Sequence, residues 1–88
     1  MRLLDTKEIE RRIEESIPGA KARVEGDEAH FSALVVSGAF EGKTRVEQHR
    51  MIYALFQKEM ANQAIHALAL RTATPAEWER ESGSQEIR

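Results

Sequence analysis

Residues 64–78 read AIHALALRTATPAEW, and they combine a predicted strand with the start of a helix. The run from Ile65 to Ala73 has an apolar middle, which is typical of a β-strand. The next four residues, Thr74-Pro75-Ala76-Glu77, place a hydroxyl cap, a first-turn proline and an acid at the spacing of a helix start. Alternation along the strand predicts one face with His66, Leu68, Leu70 and Thr72, and another with Ile65, Ala67, Ala69 and Arg71. His66 therefore lies at the mouth of the strand, where an imidazole is either packed or available as a ligand.

The rest of the chain supplies the other elements of one small domain. Capping-box patterns at Asp5 and at Thr44 predict helices over about 6–16 and 45–60, the second with a break expected near Asn62. Two strands are predicted at 20–25 and 30–37, paired as a hairpin across a turn at 26–29. A short helix over 75–80 and a polar tail over 81–88 complete the chain. The order α-β-β-α-β-α predicts an α+β two-layer sandwich, with a three-stranded mixed sheet and helices on one face. The domain is expected to span residues 1–80.

Composition excludes several classes of function. The chain has 88 residues, a net charge of −2 and no cysteine. Disulfides, thiol nucleophiles and all-thiolate metal sites are therefore excluded for this chain alone. We find no nucleophile elbow, P-loop or dinucleotide fingerprint, so a non-enzymatic role is predicted. No apolar run approaches the ~20 residues that cross a bilayer, and a cytoplasmic protein without membrane contact is expected.

Three histidines and one basic cluster are the candidate binding residues. His30 opens the second strand, His49 lies on the long predicted helix, and His66 opens the third strand. Spacing alone favours a structural role for each, because no pair has the short separation of a zinc site. Lys43, Arg45 and Arg50 follow a loop with two glycines, and they are the candidate nucleic-acid contacts. A solvated helix face is the favoured interpretation of this cluster.

Four segments together resemble the BolA family. They are HF at 30–31, VVS at 35–37, FEGKTRVEQHRMIYALFQKEM at 40–60 and IHALALRTATPAEW at 65–78. The resemblance implies a class II KH-like fold and a partnership with monothiol glutaredoxins of the Cys-Gly-Phe-Ser type. It further implies a [2Fe–2S] cluster shared with the glutaredoxin and glutathione, with roles in iron–sulfur trafficking and iron regulation. Bacterial members of the family are also described as transcriptional regulators of cell shape and stress responses.

The resemblance assigns the ligands residue by residue. The C-terminal histidine ligand of the family matches His66, which makes a ligand role the favoured one there. A second family ligand, His or Cys, comes from the loop between the first two strands; here that loop is 26–29, with neither residue type, and His30 borders it. The imidazoles would complement thiolates from a partner, because a chain without cysteine cannot hold an ordinary cluster alone. The alternatives are a DNA-binding regulator that uses Lys43, Arg45 and Arg50, and an interaction module without metal. The free protein is expected to be a monomer or a weak homodimer.

Overall fold

The computed structural model describes residues 4–82, which form four helices and three strands. In chain order they are α1 (Thr6–Ser16), β1 (Lys21–Asp27), β2 (His30–Val36), α2 (Arg45–Tyr53), α3 (Gln57–Ala61), β3 (Ala67–Ala73) and α4 (Pro75–Ser82). Single 3₁₀ turns at Gly38–Phe40 and Ala54–Phe56 precede α2 and α3. No helix within residues 4–82 is long and apolar enough to cross a membrane.

The three strands form one mixed sheet in the order β1-β2-β3. The β1 and β2 strands are antiparallel, whereas β2 and β3 are parallel. The predicted order of elements and the mixed three-stranded sheet are therefore confirmed. In the parallel register His30 lies opposite Ala67, so the start of β2 and the start of β3 are at the same end of the sheet.

The β1–β2 hairpin closes through a two-residue turn. Asp27 pairs with His30, and Glu28 and Ala29 between them have φ of 51° and 70°. Two successive left-handed residues give the twist that a two-residue hairpin needs, although Asn-Gly or Asp-Gly is the usual sequence. The observed turn thus has two residues instead of the four predicted at 26–29. The β1 strand is correspondingly longer and runs from Lys21 to Asp27 rather than over 20–25.

Gly26 is the glycine that this hairpin requires. It lies in β1 opposite Phe31 with φ of 133°, a conformation that side chains rarely adopt. A Cβ at this position would lie 2.2 Å from the carbonyl oxygen of His30 and 2.9 Å from the Cα of Phe31. The backbone of β2 therefore approaches β1 more closely than a residue with a side chain at position 26 would allow.

The core lies between one face of the sheet and helices α1 and α2. Ile9 and Ile13 point into it from α1, as their four-residue spacing predicts. The strands contribute alternate residues, and the buried apolar side chains of the sheet in this cluster are Ala22, Val24, Phe31, Ala33, Val35 and Leu68. On the opposite face, the side chains of His30, Ser32, Ala67 and Ala69 are exposed.

Side chains from the helices bind the outer edges of the sheet. The carboxylates of Glu10 and Glu14 accept hydrogen bonds from the backbone N–H groups of Val24 (2.8 Å) and Ala22 (3.0 Å) in β1. On β3, the Tyr53 hydroxyl donates to the carbonyl of Leu68 at 2.9 Å. Exposed edge strands invite pairing with other chains, and these bonds occupy some of the free backbone groups on each edge.

The long predicted helix ends near Asn62, as expected, but it also has an unpredicted break at Phe56. Phe56 has φ of −123° and ψ of 20°, and its side chain is fully buried. The Arg12 guanidinium lies 4.9 Å from the Phe56 ring centroid and donates to the Leu55 carbonyl at 3.0 Å. Burying a phenylalanine contributes roughly 1.5–3 kcal/mol, which exceeds the roughly 0.5–1.5 kcal/mol of one helical hydrogen bond. Burial of Phe56 therefore compensates for a helical hydrogen bond lost at the break.

The C-terminal helix is longer than the predicted 75–80. It continues to Ser82, so the first two residues of the expected tail at 81–88 are helical, and residues 83–88 lie outside the described part of the chain. Arg71 connects β3 to α4, since its guanidinium lies 5.8 Å from the Trp78 ring centroid and forms an ion pair with Glu81.

Candidate metal centre

The structure brings two of the three histidines together at one end of the sheet. The rings of His30 and His66 have centroids 5.5 Å apart and are nearly perpendicular, at 88°. The parallel register explains this proximity, because His30 opens β2 opposite Ala67 and His66 immediately precedes Ala67. Both side chains are exposed, so a partner protein can reach them.

His66 lies in a bend before β3 rather than in the strand, so its predicted place on the face of Leu68 is wrong. The backbone N–H groups of His66 and Ala67 both donate to the carbonyl of Ala29, at 2.7 and 3.1 Å. Successive N–H groups of a regular strand point to opposite sides, and two that converge on one oxygen therefore bend the chain. The bend turns the His66 ring into solvent. Ile65, predicted on the opposite face from Leu68, is instead buried in the core.

His30 contacts the turn that precedes it. Its ring Nδ1 lies 3.0 Å from the carbonyl oxygen of Glu28. This contact orients the ring without covering it, since the side chain remains exposed. The sequence gives no sign of this arrangement, because Glu-Ala is not a dipeptide that predicts a left-handed turn.

The spacing of the two rings is compatible with two imidazole ligands on one metal ion. Two imidazoles on one tetrahedral ion, each with a nitrogen about 2 Å from the metal, have centroids about 5 Å apart. The 5.5 Å observed here is close to that value. Residues 4–82 contain no group of three or more His, Asp or Glu side chains that could hold a metal ion, and the sequence has no cysteine.

His49 lies on α2 and does not join a metal-binding group with the other two histidines. Its side chain is half-buried, and its Nε2 is enclosed without a hydrogen-bond partner among the described residues. This placement agrees with the structural role that spacing favours for His49.

The three basic residues proposed as nucleic-acid contacts are all exposed, but their contacts differ. The Arg45 guanidinium donates to the carbonyl of Thr72 in β3 and to the Gln48 side chain at 3.1 Å. Arg45 thereby joins α2 to the end of β3. Lys43 and Arg50 are exposed. Both lie near Glu47. The pKa of Glu47 is lowered mainly by the hydrogen bond from the Thr44 backbone, and the charges of Lys43 and Arg50 lower it further. The cluster is therefore of mixed charge.

A family model described as BolA-like protein matches residues 8–77. The chain is 30% identical over 78 residues to the acid stress protein IbaG of Escherichia coli, covering 89% of this chain and 93% of IbaG. These matches span most of the described fold, and the chain belongs to the BolA family.

Two further relatives match over shorter segments. The chain is 42% identical over 60 residues to BolA-like protein 1 of Bos taurus, covering 68% of this chain and 44% of that relative. It therefore spans less than half the length of the bovine protein. It is also 45% identical over 53 residues to the DNA-binding transcriptional regulator BolA of Haemophilus influenzae, covering 60% of this chain and 50% of that protein.

Solved structures of BolA proteins have the same fold. A BolA homologue from Coxiella burnetii superimposes with a TM-score of 0.76 at 38% identity, covering 88% of this chain and 99% of that one. The BolA domain of SufE1 from Arabidopsis thaliana superimposes with a TM-score of 0.72 at 34% identity, covering 82% of this chain and 93% of that domain.

Proposed function

We propose that this protein is a non-enzymatic partner of monothiol glutaredoxins of the Cys-Gly-Phe-Ser type. The two proteins would share a [2Fe–2S] cluster, and this chain would supply His66, with His30 beside it. The complex would act in iron–sulfur trafficking or in iron and stress regulation. The observation that carries the proposal is the pair of exposed imidazoles, 5.5 Å apart, at the shared start of β2 and β3.

The chemistry of the chain supports a divided ligand set. Iron–sulfur clusters are usually held by cysteine thiolates, and this sequence contains none. The glutaredoxin and glutathione would supply the thiolates, while this chain supplies neutral nitrogen ligands. Exchanging thiolate for imidazole removes negative charge from the cluster and raises its reduction potential, as in Rieske centres. Complex formation would thereby change the redox behaviour of a cluster that the glutaredoxin holds.

Anaerobic titration with a monothiol glutaredoxin tests this function. Glutaredoxin, glutathione, iron and sulfide are combined with the wild-type protein, and the visible absorption and circular dichroism are recorded as it is added. We expect a heterocomplex with a cluster spectrum distinct from that of the glutaredoxin homodimer. His66→Ala should abolish the new spectrum, whereas the control His49→Gln should preserve it. An unchanged spectrum in His66→Ala would show that the ligand assignment is wrong.

A second candidate function is binding to DNA. It is favoured by the Haemophilus influenzae relative, which is named a DNA-binding transcriptional regulator. Lys43 and Arg50 are exposed and available for phosphates, whereas the guanidinium of Arg45 already bonds to Thr72. The net charge of −2 and the nearby Glu47 oppose non-specific attraction to nucleic acid.

Salt dependence tests this second function. The probe is a pool of promoter fragments in a mobility-shift assay between ~50 and ~200 mM salt, a range over which phosphate contacts weaken binding steeply. Binding through Lys43 and Arg50 predicts a weaker complex and a smaller salt slope for the Lys43→Ala/Arg50→Ala double variant. The absence of any shift at ~150 mM salt would count against DNA binding.

A further inference from the structure

We infer that the Glu28–Ala29 turn positions both imidazoles and that it presents His30 to a metal through Nε2. The family resemblance implies a ligand from the loop between β1 and β2, and in this chain that loop contains no histidine or cysteine. The turn would compensate by fixing His30, the residue that follows it. The inference rests on the proposed function only in its metal-binding part. Its structural part concerns the free protein.

The Glu28 carbonyl selects the tautomer of His30. A backbone carbonyl has no proton to donate, so the 3.0 Å contact requires a proton on Nδ1 of the ring. A neutral imidazole carries only one ring proton, and Nε2 therefore keeps its lone pair. Histidines that bind metals characteristically donate their other ring N–H to a carbonyl or carboxylate, which fixes both the tautomer and the ring orientation. The contact between His30 and the Glu28 carbonyl matches this arrangement in the free protein.

The Ala29 carbonyl positions His66. It accepts from the backbone N–H groups of His66 and Ala67, and the resulting bend directs the His66 ring towards His30 and away from the core. Two successive carbonyls of one turn thus contact both histidines: the first bonds to the ring of His30 and the second to the backbone of His66. A change in the turn would move both imidazoles together.

The conformation of the turn depends on the residues around it. Glu28 and Ala29 both have positive φ, which is uncommon for residues with a Cβ. Strained conformations of this kind persist only where surrounding contacts determine them, and they cluster at functional sites. Here the contacts are the two carbonyl interactions and the close approach of His30 to Gly26, where no side chain fits. The carbonyl contacts that position the histidines therefore also help to hold the turn in this conformation.

The tautomer can be measured in the free protein. Two-bond ¹⁵N–¹H correlation spectra of the ¹⁵N-labelled protein distinguish Nδ1–H from Nε2–H for each histidine ring. We expect His30 to be predominantly the Nδ1–H tautomer at a pH where the ring is neutral. A His30 ring protonated mainly on Nε2 would overturn the inference, whatever the glutaredoxin titration shows.

Two turn variants separate a positioning role from a merely structural one. Ala29→Gly keeps the left-handed turn, so the His30 tautomer and the cluster spectrum should both be unchanged. Glu28→Pro imposes a negative φ, and a folded variant should lose the Nδ1–H preference of His30 together with the wild-type cluster spectrum. A folded Glu28→Pro protein that keeps the wild-type tautomer would contradict the positioning role. If Glu28→Pro does not fold, wild type and Ala29→Gly still decide the tautomer.

His30→Ala distinguishes failure of this inference from failure of the proposed function. The variant should alter the cluster spectrum of the heterocomplex while the wild type forms it normally. A spectrum that changes in His66→Ala but not in His30→Ala would refute the metal-binding role of His30 and leave the proposed function intact. If the wild type forms no cluster complex, the proposed function fails, and the metal-binding part of this inference fails with it. The tautomer then decides the positioning part.

Discussion

Replacing Gly26 with alanine is expected to destabilise the fold by about 3 kcal/mol, combining roughly 1–3 kcal/mol of backbone strain with a steric clash. The added Cβ would lie 2.2 Å from the His30 carbonyl oxygen and 2.9 Å from the Cα of Phe31, and both neighbours are backbone atoms. Neither can rotate away, so the hairpin itself must shift. A domain of this size is stabilised by roughly 5–15 kcal/mol, so the loss would be substantial.

Urea denaturation followed by circular dichroism measures this effect. With a denaturant slope near ~1 kcal/mol/M, the midpoint of Gly26→Ala should fall by about 3 M relative to wild type. Gly38→Ala is the matched control, because a Cβ there meets nothing within 4 Å. We expect its free energy of unfolding to stay within about 1 kcal/mol of wild type. If Gly26→Ala were as stable as Gly38→Ala, the close approach of the two strands would be incorrect.

Substitutions at three further positions test other contacts of the fold. Glu14→Ala removes the acceptor for the Ala22 N–H and should lower the free energy of unfolding by about 1 kcal/mol in urea titrations, whereas Glu14→Gln retains an acceptor and should cost less. Arg45→Ala removes the hydrogen bond to Thr72 and should destabilise the protein by about 1–3 kcal/mol in thermal unfolding. If the variant melted at the same temperature as wild type, Arg45 would not have that structural role. The pKa of Glu47 is lowered chiefly by the hydrogen bond from a backbone N–H. Its stabilising contribution should therefore be complete above about pH 4.3 and lost as pH falls through the folded-state pKa. Glu47→Gln should weaken this part of the acid dependence in melts between pH 3 and 6, and an identical pH profile would contradict the capping role.

Local patterns in the sequence predict most of the secondary structure. The first helix lies at the predicted Thr6–Ser16, because its capping box forms within the helix and its isoleucines at four-residue spacing mark one apolar face. The order of elements and the mixed sheet follow from hydrophobic alternation and from the short hairpin. These features depend on residues close together in the chain, which is why the sequence reveals them.

The geometry of the candidate site depends on contacts between distant segments. His66 leaves the strand because the carbonyl of Ala29 accepts its N–H, and no pattern near His66 indicates that bond. His30 and His66 become neighbours only through the parallel register of β2 and β3. The family resemblance therefore selects His66, with His30 as the candidate second ligand, whereas only the fold shows that the two rings lie side by side. Gly26 carries a signal that could have been used, since a glycine within a strand often marks a close approach of two backbones.

The most direct test of the central claim is pulsed electron paramagnetic resonance of the reduced heterocomplex. This chain is prepared with ¹⁵N-labelled histidine, and the glutaredoxin and glutathione remain unlabelled, so any strong ¹⁵N coupling to the cluster must come from His30, His49 or His66. We predict such coupling in the wild type and its loss or marked change in His66→Ala, with His49→Gln like wild type. A cluster-loaded heterocomplex without ¹⁵N coupling would contradict the claim that this chain supplies an imidazole ligand.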